Sequence, residues 1–137
     1  MTPVRQRPRM AMRIAAVVAV AFGLLTLKEG GTILFGSAAA RAAAGHYVPF
    51  VLWFNFFAGF AYVAAGIGLW LGRRWAAGLA IAIAMATAVT FAAFGVHVQS
   101  GGAFEPRTVV AMSIRSLFWS VQALALPFIL GRGRAQS

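Results

Sequence analysis

Four long apolar stretches separated by short polar breaks organise the chain: residues 14–35, 48–71, 75–96 and 108–130. Each reaches the ~20 residues that a helix needs to cross ~30 Å of hydrocarbon. None alternates with a period of two, and the chain is too short for a closed barrel. A lipid-embedded backbone must then satisfy its own hydrogen bonds as helix. The pattern predicts an all-α polytopic membrane protein, a four-transmembrane-helix bundle forming a single membrane domain over residues 1–137. Between the first two stretches, residues 37–45 are Ala-rich and end in Gly45, which predicts a short interfacial helix. The bases ahead of the first stretch and the A-x-A sequences after it resemble a secretory leader. Lys28, Glu29, Gly30 and Gly31 interrupt that pattern, and the cleavage-like sites lie too far from the apolar run, so a retained span is expected.

Composition supports the same class. The chain is 61% hydrophobic and 10% charged, against roughly 25% charged in soluble domains, and its mean hydropathy is +0.83. Net charge is +10, with two acids in the whole chain. On a soluble protein such a balance points to nucleic acid, but here the bases cluster beside the apolar stretches and no basic face remains once these are removed. Arg5, Arg7, Arg9 and Arg13 precede the first stretch, Arg73 and Arg74 join the second to the third, and Arg132 and Arg134 follow the fourth. Lys28, Arg41 and Arg107 lie toward the other side. The positive-inside rule then predicts cytoplasmic N and C termini in a multi-pass inner (plasma) membrane protein. Trp70 and Trp75 would anchor one interface, Tyr47 and Trp53 the other. Absence of cysteine excludes disulfides, thiolate metal sites and dithiol chemistry by this chain.

Small residues mark the packing faces. Ala61 and Ala65, Ala64 and Gly68, and Gly59 and Gly66 recur on the second stretch, and Ala80, Ala84 and Ala88 on the third. Such spacing lets helix backbones approach closely, within one bundle or between copies.

Polar residues concentrate in the outer half. Glu29, Asn55, Thr90 and Arg115 each fall about 10 Å inside the outer ends of their stretches at 1.5 Å per residue. A lipid-facing charge at that depth is costly, so Glu29 and Arg115 are expected to face inward as an intramembrane ion pair. Such a pair either fixes helix register or serves an anion, a proton or a small ligand. Alternatively these groups lie at headgroup level. On the fourth stretch Thr108, Arg115 and Gln122 recur every seven residues, with Met112 and Trp119 close to the same face, which predicts a polar seam. Asn55 and Tyr62 are also seven apart, and Thr90, Phe94 and His97 share a face of the third stretch.

His97 ends the third stretch, and Gly101-Gly102 marks the turn before Pro106. Glu105 is expected to favour the N-terminus of the following helix and to partner Arg107. His46, His97, Glu29 and Glu105 show no metal-ligand spacing, so no metal is expected. The aromatic run Phe50, Trp53, Phe54, Phe56, Phe57 and Phe60 covers several faces. It suits a lipid anchor and partner surface better than a haem, quinone or pigment box, and no cofactor is expected.

The stretch from Ala58 to Ala80, AGFAYVAAGIGLWLGRRWAAGLA, resembles the second and third helices of DoxX-like membrane proteins, in which a small-residue helix ends in Gly and a basic turn leads to an Ala-rich helix. Arg13 and the residues from Gly23 to Lys28 are also similar. The acidic residue often found on that family's second helix is missing here, and so is cysteine. The resemblance implies a four-helix bundle in quinone-linked or oxidative-stress-related membrane assemblies. No self-sufficient catalytic constellation is present, and an enzyme is the least favoured class. The expected role is an accessory or structural subunit, with the bilayer and other membrane subunits or a second copy as partners and no nucleic acid. The alternative is a small transporter or ligand-binding protein using Glu29, Asn55, His97 and Arg115, with Glu105 and Arg107 nearby.

Overall fold

A computed structural model describes residues 6–134, with side chains described over 10–125. Arg5 and the side chains of Arg7, Arg9, Arg132 and Arg134 lie outside the described residues. The chain folds into α1 (Gln6–Phe35), α2 (Ala38–Ala44), α3 (Pro49–Trp70), α4 (Trp75–Gln99) and α5 (Pro106–Arg134). α1 begins ahead of the apolar stretch that predicted it, because Arg, Gln and Met continue a helix as well as Ile does.

Local chemistry sets the breaks. The Ser37 hydroxyl accepts from the Ala40 N–H and starts α2, and Gly45 ends it at a φ of 73°, as the sequence predicts. Pro49 and Pro106 open α3 and α5, where a missing N–H costs nothing. Gly72 and Gly101 take positive φ in the two tight connections, a conformation disfavoured for residues with a Cβ.

α1, α3, α4 and α5 are each long and apolar enough to cross a membrane. Their outward surface is apolar along its length, including Leu24, Phe57, Ile67, Met85, Val89, Leu117 and Leu124, which fits lipid as the surrounding solvent. Exposed Trp53 and Trp70 lie near opposite ends of α3, roughly 25 Å apart at 1.5 Å per residue, close to the thickness of a hydrocarbon core. Four helices of this length and composition suggest a helical membrane protein.

Neighbours in the bundle run α1, α3, α4, α5, with α1 and α3 packed most extensively and α1 and α5 touching least. The α1–α3 contact is a backbone approach. A Cβ built on Gly23 would stand 2.8 Å from the Gly59 carbonyl oxygen and 3.0 Å from the Tyr62 Cβ. On α1 the buried positions are Ala16, Ala19, Gly23, Thr26 and Gly30, a seam of small residues. α4 differs from expectation: Ala76, Ala80, Ile83, Thr87 and Phe94 face inward, whereas Ala88 of the alanine stripe is exposed. Thr87 and Phe94 supply what alanine lacks, a buried hydroxyl beside Tyr62 and a large ring in a second apolar cluster with Val48, Val51 and Met112.

Candidate functional site

The seam predicted on α5 faces the bundle interior. Met112, Arg115, Trp119 and Gln122 are all buried, and Thr108 is half-buried. Spacings of three and four residues keep these side chains on one stripe. Arg115 is 7% exposed, a nearly enclosed guanidinium in the middle of an apolar bundle.

Its surroundings come from three helices. Arg115 Nη2 donates to Thr26 Oγ1 on α1 at 3.4 Å, and the guanidinium carbon lies 5.5 Å from the Phe22 ring centroid. Phe22 stacks on Tyr62 of α3 at 5.4 Å, and Tyr62 meets Trp119 at 4.8 Å. Phe118 closes edge-on against both Phe22 and Trp119. The cation thus sits at the rim of a four-ring box, where ring faces attract it. The Tyr62 hydroxyl neighbours Thr87, Trp119 and Arg115 without completing a hydrogen bond to any of them.

The expected Glu29–Arg115 pair is absent from this arrangement. Glu29 is exposed, and among the described residues no acid bonds to Arg115. The helical register explains the correction. Buried Ala19, Gly23, Thr26 and Gly30 define the inner face of α1, and Glu29 lies roughly a quarter-turn off it at 100° per residue. Close α1–α3 packing fixes that rotation, so Thr26 faces Arg115 instead.

Several buried polar atoms have no hydrogen-bond partner among the described residues. Arg115 Nε, Tyr62 Oη, Trp119 Nε1, Ser116 Oγ and Asn55 Oδ1 are buried without partners. A buried donor without an acceptor costs about 1–3 kcal/mol, more when it belongs to a charge. Arg115, Tyr62 and Trp119 neighbour one another: Arg115 and Trp119 bring N–H donors, and the Tyr62 hydroxyl can donate or accept. Together they make an electropositive, donor-rich centre suited to a carboxylate or another strong acceptor.

Most of the remaining predicted residues lie at the end of the bundle that carries α2. Asn55 is half-buried on α3. Thr90 donates to the Ala86 carbonyl within its own helix, so it adds nothing to a polar layer. His97 Nε2 lies 3.0 Å from the Ala103 carbonyl, its ring stacked against Phe94 and edge-on to Phe50. Glu105 does not bond to Arg107. Its Oε1 accepts from the His46 N–H at 2.8 Å, filling the space where a side chain on Gly45 would stand. Arg107 donates to the carbonyls of Ala43 and Ala44 at 3.4 and 3.5 Å, and Arg41 Nε donates to the Ile33 carbonyl at 3.2 Å. These residues form a clasp that ties α2 to the ends of α1 and α5 and satisfies carbonyls at helix C-termini. Among the described residues no three His, Asp or Glu side chains gather to hold a metal.

Sequence reasoning placed Arg115 but passed over Thr26, Phe22 and Thr87. The small-residue register of α1 carried the signal for Thr26, since Ala16, Ala19, Gly23 and Gly30 share its face. Nothing in the sequence singled out Phe22 from the other rings, because its role depends on which helix lies beside it. Comparison with protein-family models, with curated proteins and with solved structures finds no match to this chain.

Proposed function

We propose that this chain is an inner-membrane protein, with both termini in the cytoplasm, that binds a small amphiphile through a carboxylate or similar acceptor head at the Arg115 centre. The observation that carries the reading is a buried guanidinium with no carboxylate partner among the described residues, beside the Tyr62 hydroxyl and the Trp119 N–H. An isolated charge at membrane depth is expensive, and such residues are retained for ligands, ions or partners. The rings of Phe22, Tyr62, Phe118 and Trp119 offer an apolar surface beside the cation for the ligand body. α1 and α5 touch least of the neighbouring helices, and a ligand enters between them from the bilayer. Kinship with DoxX-like proteins belongs to the same proposal and rests on the Ala58–Ala80 stretch.

Thermal unfolding in detergent with octanoate, octanol and octylamine tests the reading. Octanoate raises the unfolding temperature of the wild-type protein, octylamine does not, and Arg115→Gln removes the octanoate response. Equal shifts from octanoate and octanol would count against an anion-seeking site.

An accessory role in a larger membrane assembly is supported by a different observation. Lys28 and Glu29 are exposed within an apolar segment long enough to cross a membrane, and α3 exposes large rings such as Phe57 and Phe60. Charges in that position are covered by another protein surface more cheaply than by lipid. Purification in mild detergent tests this second reading: a partner subunit co-migrates, and a chain that always migrates alone argues against it.

A further inference from the structure

The other end of the bundle carries a different surface feature, independent of the Arg115 centre. A groove of about 380 Å³ runs between α1 and α3, bounded by Ala16, Val17, Val20, Gly66, Ile67 and Trp70, with no polar side chain among its walls. Gly66 forms its floor because a Cβ there would press on Val20 and the Ala16 carbonyl, so the groove results from the close approach of the two helices. A second hollow of about 270 Å³ shares Val17 and Trp70 with it and extends to Arg13. The Arg13 guanidinium lies 5.3 Å from the Trp70 ring centroid, which holds the charge at the mouth of the apolar channel. Arg73 and Arg74 follow Trp70 in the α3–α4 turn and are exposed. Both acids of the chain, Glu29 and Glu105, lie toward the opposite end of the bundle.

We infer that this groove binds an anionic phospholipid, with an acyl chain along Val17, Val20 and Gly66 and the phosphate against Arg13 and the Arg73-Arg74 turn. Charge complementarity selects this occupant. An apolar channel alone accepts any acyl chain, but a channel that ends on bases, with no acid near, favours a lipid of net negative charge. Trp70 joins the two parts, lining the hydrocarbon channel on one side and carrying Arg13 over its ring on the other. Bases near a membrane surface each favour anionic lipid by a free energy that corresponds to about fivefold in affinity. Arg13 alone therefore gives a preference on that order, and the turn arginines increase it.

Bromine on an acyl chain quenches a tryptophan that it touches, so Trp70 reports directly on the groove. The wild-type protein is placed in vesicles of phosphatidylglycerol and phosphatidylcholine with bromine on one lipid or the other. Trp70→Phe run in parallel isolates that ring's share of the quenching. The expected result is that brominated phosphatidylglycerol occupies the Trp70 site at least about fivefold more strongly than brominated phosphatidylcholine. Arg13→Gln with Arg74→Gln reduces that preference toward one while leaving quenching by both lipids. Inorganic phosphate added to the bulk leaves the quenching in place, because it offers no acyl chain. Equal occupancy by the two lipids in wild-type protein would overturn the inference, and this comparison stands even if the double variant does not insert. Displacement by phosphate would also overturn it. An unaltered octanoate response alongside a failed lipid preference separates this inference from the proposed ligand site.

Discussion

Arg115 reaches from α5 to donate a hydrogen bond to Thr26 on α1 at 3.4 Å, across the least packed boundary of the bundle. The first and last of the four long apolar helices are thus joined by a cation and a hydroxyl, and the guanidinium keeps a charge that no carboxylate among the described residues neutralises. Stability and ligand affinity should therefore respond in opposite directions at this position.

Even a buried ion pair can often be replaced by apolar side chains of similar volume without loss of stability, and a cation with no carboxylate partner has less to lose. Arg115→Met should raise the thermal unfolding temperature in detergent while abolishing the response to octanoate. A variant markedly less stable than wild type would show that the guanidinium holds the fold together. Glu29→Gln should not lower the unfolding temperature, since an exposed carboxylate has no buried partner to lose.

The Tyr62 hydroxyl is enclosed without a partner. Its removal in Tyr62→Phe keeps the ring stacked between Phe22 and Trp119 and relieves an unmet polar group, worth about 1 kcal/mol or somewhat more. Unfolding should move slightly upward, and affinity for carboxylate amphiphiles should fall. An unchanged affinity would exclude the hydroxyl from the site.

The α1–α3 approach makes a steric prediction. Gly23→Ala places a methyl 2.8 Å from the Gly59 oxygen and from Val63, and the helices must separate, at a cost of about 1–3 kcal/mol. Gly78→Ala meets nothing within 4 Å and should stabilise α4 by up to about 1 kcal/mol through helix propensity. Thermal unfolding of both variants checks the contrast.

At the outer end, Glu105→Ala should release the His46 N–H and loosen residues 37–48 without unfolding the bundle. Faster amide exchange confined to that segment, with the unfolding temperature lowered only slightly, is the expected signature. Gly45→Ala should act in the same direction, because its φ of 73° and the Glu105 carboxylate both exclude a methyl.

A cysteine-free chain allows a clean test of topology. Single cysteines at Arg73 and at Ser100 should label from opposite sides of a sealed membrane, Arg73 from the cytoplasmic side. Labelling of both from one side would remove the four-span arrangement.

Apolar length alone determined how many helices this protein has and where they turn. Runs of ~20 apolar residues admit no other structure in lipid, and Ser37, Gly45, Pro49 and Pro106 announce their breaks through local backbone chemistry. The inner face of α5 was legible for a related reason: polar and aromatic residues recurring at helical spacing in an apolar helix must point away from lipid. Which residue of α1 meets Arg115 was not legible, because depth along a helix can be counted from the sequence but rotation about its axis cannot. That rotation is set by the contact of Gly23 and Gly30 with α3, where the smallest side chains permit the closest approach. It turns Thr26 toward Arg115 and Glu29 away, leaving the cation unneutralised. The same packing opens the groove over Gly66 beside Arg13. The sequence thus determined the spans, the turns and the buried stripe of α5, and the tertiary structure decided what that stripe faces, because packing between helices fixes their relative rotation.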